Sequence, residues 1–248
     1  IVWGNVQLQW YNDIYASFKD HDKFLIIIYL INKTLNFYSV NLTKLSYDQF
    51  YSKDKVEIEK FTVTEISNNL NIPKESARRK IFELKQNGVI KIFKKKVLID
   101  RSNYELIKPK NTILNVSRFL STLSFYLAEN KILTKQINSK DIENIIKENF
   151  TYLWKFYYDM QIPTMLSWKK IFSDIETWHI WGLCMVNQLS HSKKVKNSKN
   201  KNEFVSLLIS KKIKTTGINA MSISEISGIP RATVVRKLKK LLKEDYLY

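Results

Sequence analysis

The chain has 248 residues and is 44% hydrophobic and 13% aromatic, so it can fill real cores; its 41 Lys+Arg against 23 Asp+Glu give a net charge of +18. That charge and a pI near 9.7 point to an anionic partner, nucleic acid or an acidic membrane surface, although a composition rich in Lys, Asn and Ile offers a blander source. The single Cys184 excludes an intrachain disulfide framework and a Cys-based zinc site, which fits a reducing cytoplasm, and the longest apolar run, Phe24 to Ile31, is too short to span a membrane. Because the sequence opens on Ile1 rather than Met, it is compatible with a fragment of a longer protein.

Few Gly and Pro and long stretches of 3.6-residue periodicity predict a mostly helical protein. Residues 1–21 are read as an N-terminal segment and 22–108 as a first domain, whose first helix runs from Asp22 to Tyr38. Thr62-Val-Thr-Glu65 has the form of a capping box, so a helix starts there, carries Ile66 and Leu70 inward and stops at Asn71. Ile72-Pro73 restarts the chain, since Pro suits a first helical turn. In the second helix Ala77, Ile81 and Leu84 form the buried stripe, with Lys74, Ser76, Arg78, Arg79 and Lys85 outward. Two β-prone runs between Val89 and Ile99, around a Lys94, Lys95, Lys96 tip, predict a hairpin.

Residues 109–190 are expected to be a helical linker or dimerisation domain. A helix from Ser117 to Ala128 would bury Phe119, Leu120, Leu123 and Leu127; a second, from Ser139 to Met160, would bury Ile142, Ile146, Leu153, Phe156 and Met160. A third would begin at Trp168 with Ser167 as N-cap and carry a seam through Trp168, Ile171, Ile175, Trp178, Gly182, Met185 and Leu189, with Gly182 allowing close approach of another helix. Trp154, Tyr157, Trp168, Trp178 and Trp181 are read as core or dimer interface in preference to a pocket for a small-molecule effector. The tract 191–202, nearly without apolar residues, is expected to be a flexible basic linker, and 203–248 a second domain whose first helix is Glu203 to Lys214.

Sliding the chain against itself by 157 positions exposes an internal repeat of about 25 residues. Ile66-Ser67 falls on Ile223-Ser224, Ile72-Pro73 on Ile229-Pro230, Arg79-Lys80 on Arg236-Lys237 and Leu84 on Leu241. In the second copy Asn219 is the cap, Gly228 replaces Asn71, and Val234, Leu238 and Leu241 form the stripe. The run Ile223-Ser-Glu-Ile-Ser-Gly-Ile-Pro-Arg-Ala-Thr-Val-Val-Arg-Lys-Leu-Lys-Lys-Leu241 resembles the helix-turn-helix of bacterial winged-helix regulators, and residues 66–90 with the hairpin are similar to the complete motif with its wing.

That resemblance implies a mostly α fold with two winged helix-turn-helix domains joined by a helical middle, the second wing truncated or absent. It further implies that the second helix of each copy enters the major groove of double-stranded DNA. Arg78 and Arg231 would then read guanine, and Ser76 and Thr233 a base or phosphate. Lys74, Arg79, Lys80, Arg236, Lys237 and Lys240 would hold phosphates, and Lys94, Lys95 and Lys96 the adjacent backbone or minor groove. The expected function is a cytoplasmic, nucleoid-associated, homodimeric transcriptional regulator without cofactor, metal, membrane contact or catalytic residues. A plasmid- or phage-type replication initiator and a winged-helix scaffold for proteins are the alternatives. His21, His179 and His191 lack metal-ligand spacing, no Gly-rich phosphate loop is present, and Glu75 near the helix start would repel phosphate.

Overall fold

The computed structural model describes residues 2–52, 54–93, 96–102, 108–198, 202–203 and 217–247. They form a mostly helical protein with one small antiparallel sheet, divided into two compact units, Asp20–Ile171 and Ile1–Lys19 with Phe172–Tyr248. No helix among the described residues is long and apolar enough to cross a membrane.

The first unit is built on α2 (His21–Val40), which buries the run expected from composition, Phe24 to Ile28 with Leu30, Ile31 and Leu35. Asp20 caps it, accepting hydrogen bonds from the Asp22 and Lys23 amides. After α3 (Tyr47–Tyr51) comes a strand that periodicity had not indicated, β1 (Lys55–Ile58), followed by α4 (Val63–Leu70), α5 (Lys74–Gln86), β2 (Ile90–Phe93) and β3 (Lys96–Asp100). The hairpin is present as β2 and β3, and β1 pairs with the far side of β3, so the strand order is β1-β3-β2, with Val56 and Ile90 both opposite Ile99. The buried Arg101 guanidinium lies 4.9 Å from the Phe50 ring and 4.4 Å from that of Tyr51, tying the end of β3 to α3.

Of the helices that follow, one buries Ile142 and Ile146 as expected, and the others depart from the expected stripes. In α6 (Lys110–Glu129) the buried face is Thr112, Ile113, Val116, Ser117, Ser121 and Ser124, whereas Leu123 is exposed. Small side chains win because the turn before the next helix folds onto them: Ser121 Oγ donates to the Ile137 carbonyl at 2.8 Å, and the Ile137 amide donates to Ser124 Oγ at 2.9 Å. The helix expected from Ser139 to Met160 breaks at Asn149 into α7 (Ser139–Glu148) and α8 (Phe150–Phe172), which runs through Pro163. Leaving Asn149 rotates the stripe, so Phe150, Trp154, Tyr157 and Tyr158 are buried and Phe156 and Met160 are exposed.

In the second unit, α9 (Ile175–Ser198) packs against α1 (Val2–Phe18), α10 (Ala220–Ser227) and α11 (Arg231–Lys243). The single helix expected from Trp168 does not form, because Ser173 adopts a left-handed φ of +70° and Asp174 starts a new helix. Ser167 is therefore inside α8 rather than a cap, and Ile171 and Leu189 of the expected seam are exposed. Gly182 does receive a close neighbour: a Cβ added there would lie 2.9 Å from Leu8 Cδ2. Tyr11 packs on Trp178 at 4.3 Å, and His179 Nε2 lies 2.8 Å from Asn12 Oδ1. The tract expected to be a linker continues α9 as far as Ser198, since Lys, Ser and Asn without Gly or Pro do not end a helix. Most of the expected helix Glu203 to Lys214 lies outside the described residues; among the described ones, α9 packs on α10 and α11 as α2 packs on α4 and α5.

Candidate nucleic-acid interface

The two copies of the repeat fold alike down to single hydrogen bonds. Thr62 Oγ1 accepts from the Glu65 amide at 3.0 Å, and Asn219 Oδ1 accepts from the Ser222 amide at 2.9 Å. Each first helix ends on a left-handed residue, Asn71 at φ +49° or Gly228 at φ +70°. Ser67 Oγ then donates across the turn to the Ile72 carbonyl at 2.7 Å, as Ser224 Oγ does to the Ile229 carbonyl at 2.7 Å. Ile66, Ile72, Ala77 and Leu84 are buried in one copy; Ile223, Ile229, Val234 and Leu241 are their buried counterparts. The Glu65 carboxylate takes hydrogen bonds from Lys33 Nζ at 2.9 Å and Tyr29 Oη at 3.2 Å. Burial raises its pKa, but Lys33 and the Thr62 amide outweigh that and hold it below the ordinary value.

Two residues expected to neutralise phosphates point the other way. Lys80 and Lys237 are each only 8% exposed. Lys80 Nζ binds Asp20, the cap of α2, with Asp22 at 3.7 Å, while Lys237 Nζ binds Asp174. Asp174 in turn accepts the amide and hydroxyl of Thr177 at 2.8 Å each, so it caps α9 as Asp20 caps α2. Burial pushes the Asp174 carboxyl up, yet Lys237 and Thr177 together bring it below its usual value. In each copy a lysine ammonium thus ties the second helix to the start of the long helix behind it. Lys240 is also drawn inward, donating to the Phe172 carbonyl at 3.3 Å and to Ser173 Oγ at 2.8 Å. The equivalent residue of the first copy, Glu83, binds Lys23 of α2, so the same position performs the same tethering with opposite charge.

The remaining expected residues stay on the surface. Lys74, Arg78 and Arg79 of α5 and Arg231 and Arg236 of α11 are exposed, and Ser76 and Thr233 are half-buried. Arg78 lies 3.6 Å from Glu75 and Arg79 3.8 Å from Glu83; both pairs are exposed enough to be worth a few tenths of a kcal/mol and to yield to an anion. Lys96 binds Glu57 across the sheet at 2.7 Å, and Lys94 and Lys95 lie outside the described residues.

The pattern of charges had not singled out the surface between α5 and the hairpin. Lys55, Lys85 and Lys91 line an open trough of about 710 Å³ there, together with Ile92, Phe93 and Leu98. Ile92 and Phe93 are both exposed; the available signal was two apolar residues side by side where an alternating strand has one. Lys91 Nζ donates to Asp100 at 2.7 Å, and this bond, with the Ser102 hydroxyl, holds the Asp100 carboxyl well below its ordinary range.

Among the described residues no group of three His, Cys, Asp or Glu side chains could hold a metal, and burial pushes the Cys184 thiol up to about 11, away from the reactive thiolate. Of the candidate tryptophans Trp154 and Trp178 are buried, Trp154 stacking on Tyr157 at 4.5 Å, whereas Trp168 and Trp181 are half-buried, with Trp181 5.1 Å from Phe172. No protein-family model, no curated protein and no solved structure matches this chain.

Proposed function

We propose that the chain binds double-stranded DNA through two helix-turn-helix units and regulates transcription as a sequence-specific homodimer. One observation carries the reading. Two segments 157 residues apart adopt the same capped helix, left-handed turn and second helix, and each turns arginines outward while a lysine anchors the helix from behind. A surface helix held that firmly is suited to entering a major groove without paying to order its backbone. The finer fold reading belongs with this proposal: the first copy, between β1 and the hairpin β2–β3, is a winged helix-turn-helix domain, and the second copy is its wingless counterpart within the described residues.

Selection of preferred duplexes from a random pool, followed by affinity measured against salt, tests it. Arg78→Ala or Arg231→Ala is expected to cost about 1 to 3 kcal/mol on the preferred duplex and to relax the choice of one base. Lys74→Ala should weaken all sequences alike and reduce the salt slope by about one. Equal losses from all three variants on every duplex would remove base reading from the proposal, and sedimentation equilibrium reads the dimer.

A further inference from the structure

The first copy differs from the second on the face both present to solvent, and the difference is aromatic. Arg78, Phe82 and Lys85 follow one another along α5 at spacings of four and three, so they share one side of the helix, and Phe82 is 57% exposed. The second copy has Lys239 at the position of Phe82. Past Lys85 the cationic surface continues into the trough beside the hairpin, where Ile92 is 63% and Phe93 60% exposed among Lys55, Lys85 and Lys91.

Exposed phenylalanines between lysines have little to gain from an intact duplex, whose bases lie stacked inside it. An unpaired strand offers the flat face of every base, with a phosphate between each pair of them. A second copy of this chain, at +18, would bring more positive charge onto three lysines, so the charge selects an anionic occupant. We infer that the outer side of α5 and the hairpin trough beside it take an unpaired stretch of DNA. Phe82 and Phe93 stack on bases, and Lys55 and Lys85 hold phosphates, while Lys91 stays on Asp100. This rests on the nucleic-acid reading above and assigns a second substrate form to the first copy alone.

Fluorescence anisotropy of the full chain with labelled dT20 and with a labelled 20-base-pair duplex tests it. Replacing both Phe82 and Phe93 by Ala is expected to lower dT20 affinity at least tenfold and to leave duplex affinity within about twofold, since aromatic stacking is sequence-tolerant and specific to unstacked bases. Arg231→Ala with Arg236→Ala should do the reverse. Phe93→Trp should retain dT20 binding, and its added fluorescence should be quenched by dT20 and not by the duplex. Melting temperatures near that of the parent protein confirm that these surface variants fold. Duplex binding without dT20 binding, or equal losses on both from the phenylalanine variant, overturns the inference while leaving the duplex reading intact. If neither probe binds, both fall.

Discussion

Replacing Lys80 by Met separates a structural lysine from a phosphate contact. The Lys80 side chain is 10% exposed and its ammonium serves Asp20 and Asp22, each about a quarter exposed. Breaking a fully buried pair by removing one partner costs about 3 to 5 kcal/mol. Here the loss is smaller, because Asp20 keeps two backbone amides and Asp22 keeps Lys169 at 3.0 Å, and because Met preserves the packing of the aliphatic stem. A destabilisation of about 2 kcal/mol is expected, or a melting temperature lower by roughly 4 to 8 °C for a unit of this size. Urea unfolding followed by circular dichroism, paired with duplex affinity below the transition, reads both effects. Arg79→Ala, one residue away and exposed, should leave stability within about 0.5 kcal/mol and weaken DNA binding. A double-mutant cycle with Asp20→Asn, which keeps the helix cap, should show more than about 1 kcal/mol of coupling. If Lys80→Met unfolds like the parent but loses affinity and salt slope as Arg79→Ala does, the lysine faces DNA and the tether is wrong.

His21, at the start of α2, is wholly buried, and burial together with the nearby Lys80 charge pushes its pKa down to about 3. The unfolded chain takes up this proton first, near pH 6.5, so the contribution to stability is complete above that pH and is lost as pH falls toward 3. Stability should drop by about 2 kcal/mol between pH 7 and pH 5 and His21→Gln should flatten that fall; parallel curves for the two proteins would refute the assignment. Carboxylates held low by lysines, such as Glu65 and Asp100, lose their contribution only below this window. Gly228→Ala should cost about 1 kcal/mol in thermal unfolding, because its φ of +70° is left-handed while the new Cβ would meet Tyr15 only at an ordinary 3.9 Å. Asn71→Gly, at the equivalent position, should be neutral or slightly stabilising.

What the sequence made legible was local. Caps, the left-handed turn, the prolines and the buried stripes are set by side chains acting on backbone a few residues away, so an offset of 157 positions was enough to find both copies. The inward lysines were also written there and passed over. Lys80 lies three residues after Ala77 and four before Leu84, on the buried stripe itself, and Lys237 stands in the same relation to Val234 and Leu241. Charge argued for solvent; the partner that reverses it, Asp20, is 60 residues distant. The helical middle failed for a related reason. Apolar spacing from Trp168 to Leu189 fits a heptad seam, yet a single left-handed residue and an Asp cap after it cut the seam in two. Small-residue faces such as that of α6 leave no hydrophobic signal, and β1 is short, with burial alternating over four residues.

The two copies share several inner residues and differ at several outward ones. Ile66 and Ile223, Ile72 and Ile229, Lys80 and Lys237, Leu84 and Leu241 pair without change of residue type. Outward, Glu75 stands opposite Ala232, Arg78 opposite Val235 and Phe82 opposite Lys239. If both copies read bases as proposed, they should not prefer the same ones, because an arginine at one site and a valine at the equivalent site present different groups to a base edge. One chain engaging DNA with both units should therefore select two unlike half-sites, and Arg78→Ala should relax one of them without affecting the other. A selected duplex whose half-sites are identical and respond together to Arg78→Ala would mean that only the first copy reads sequence.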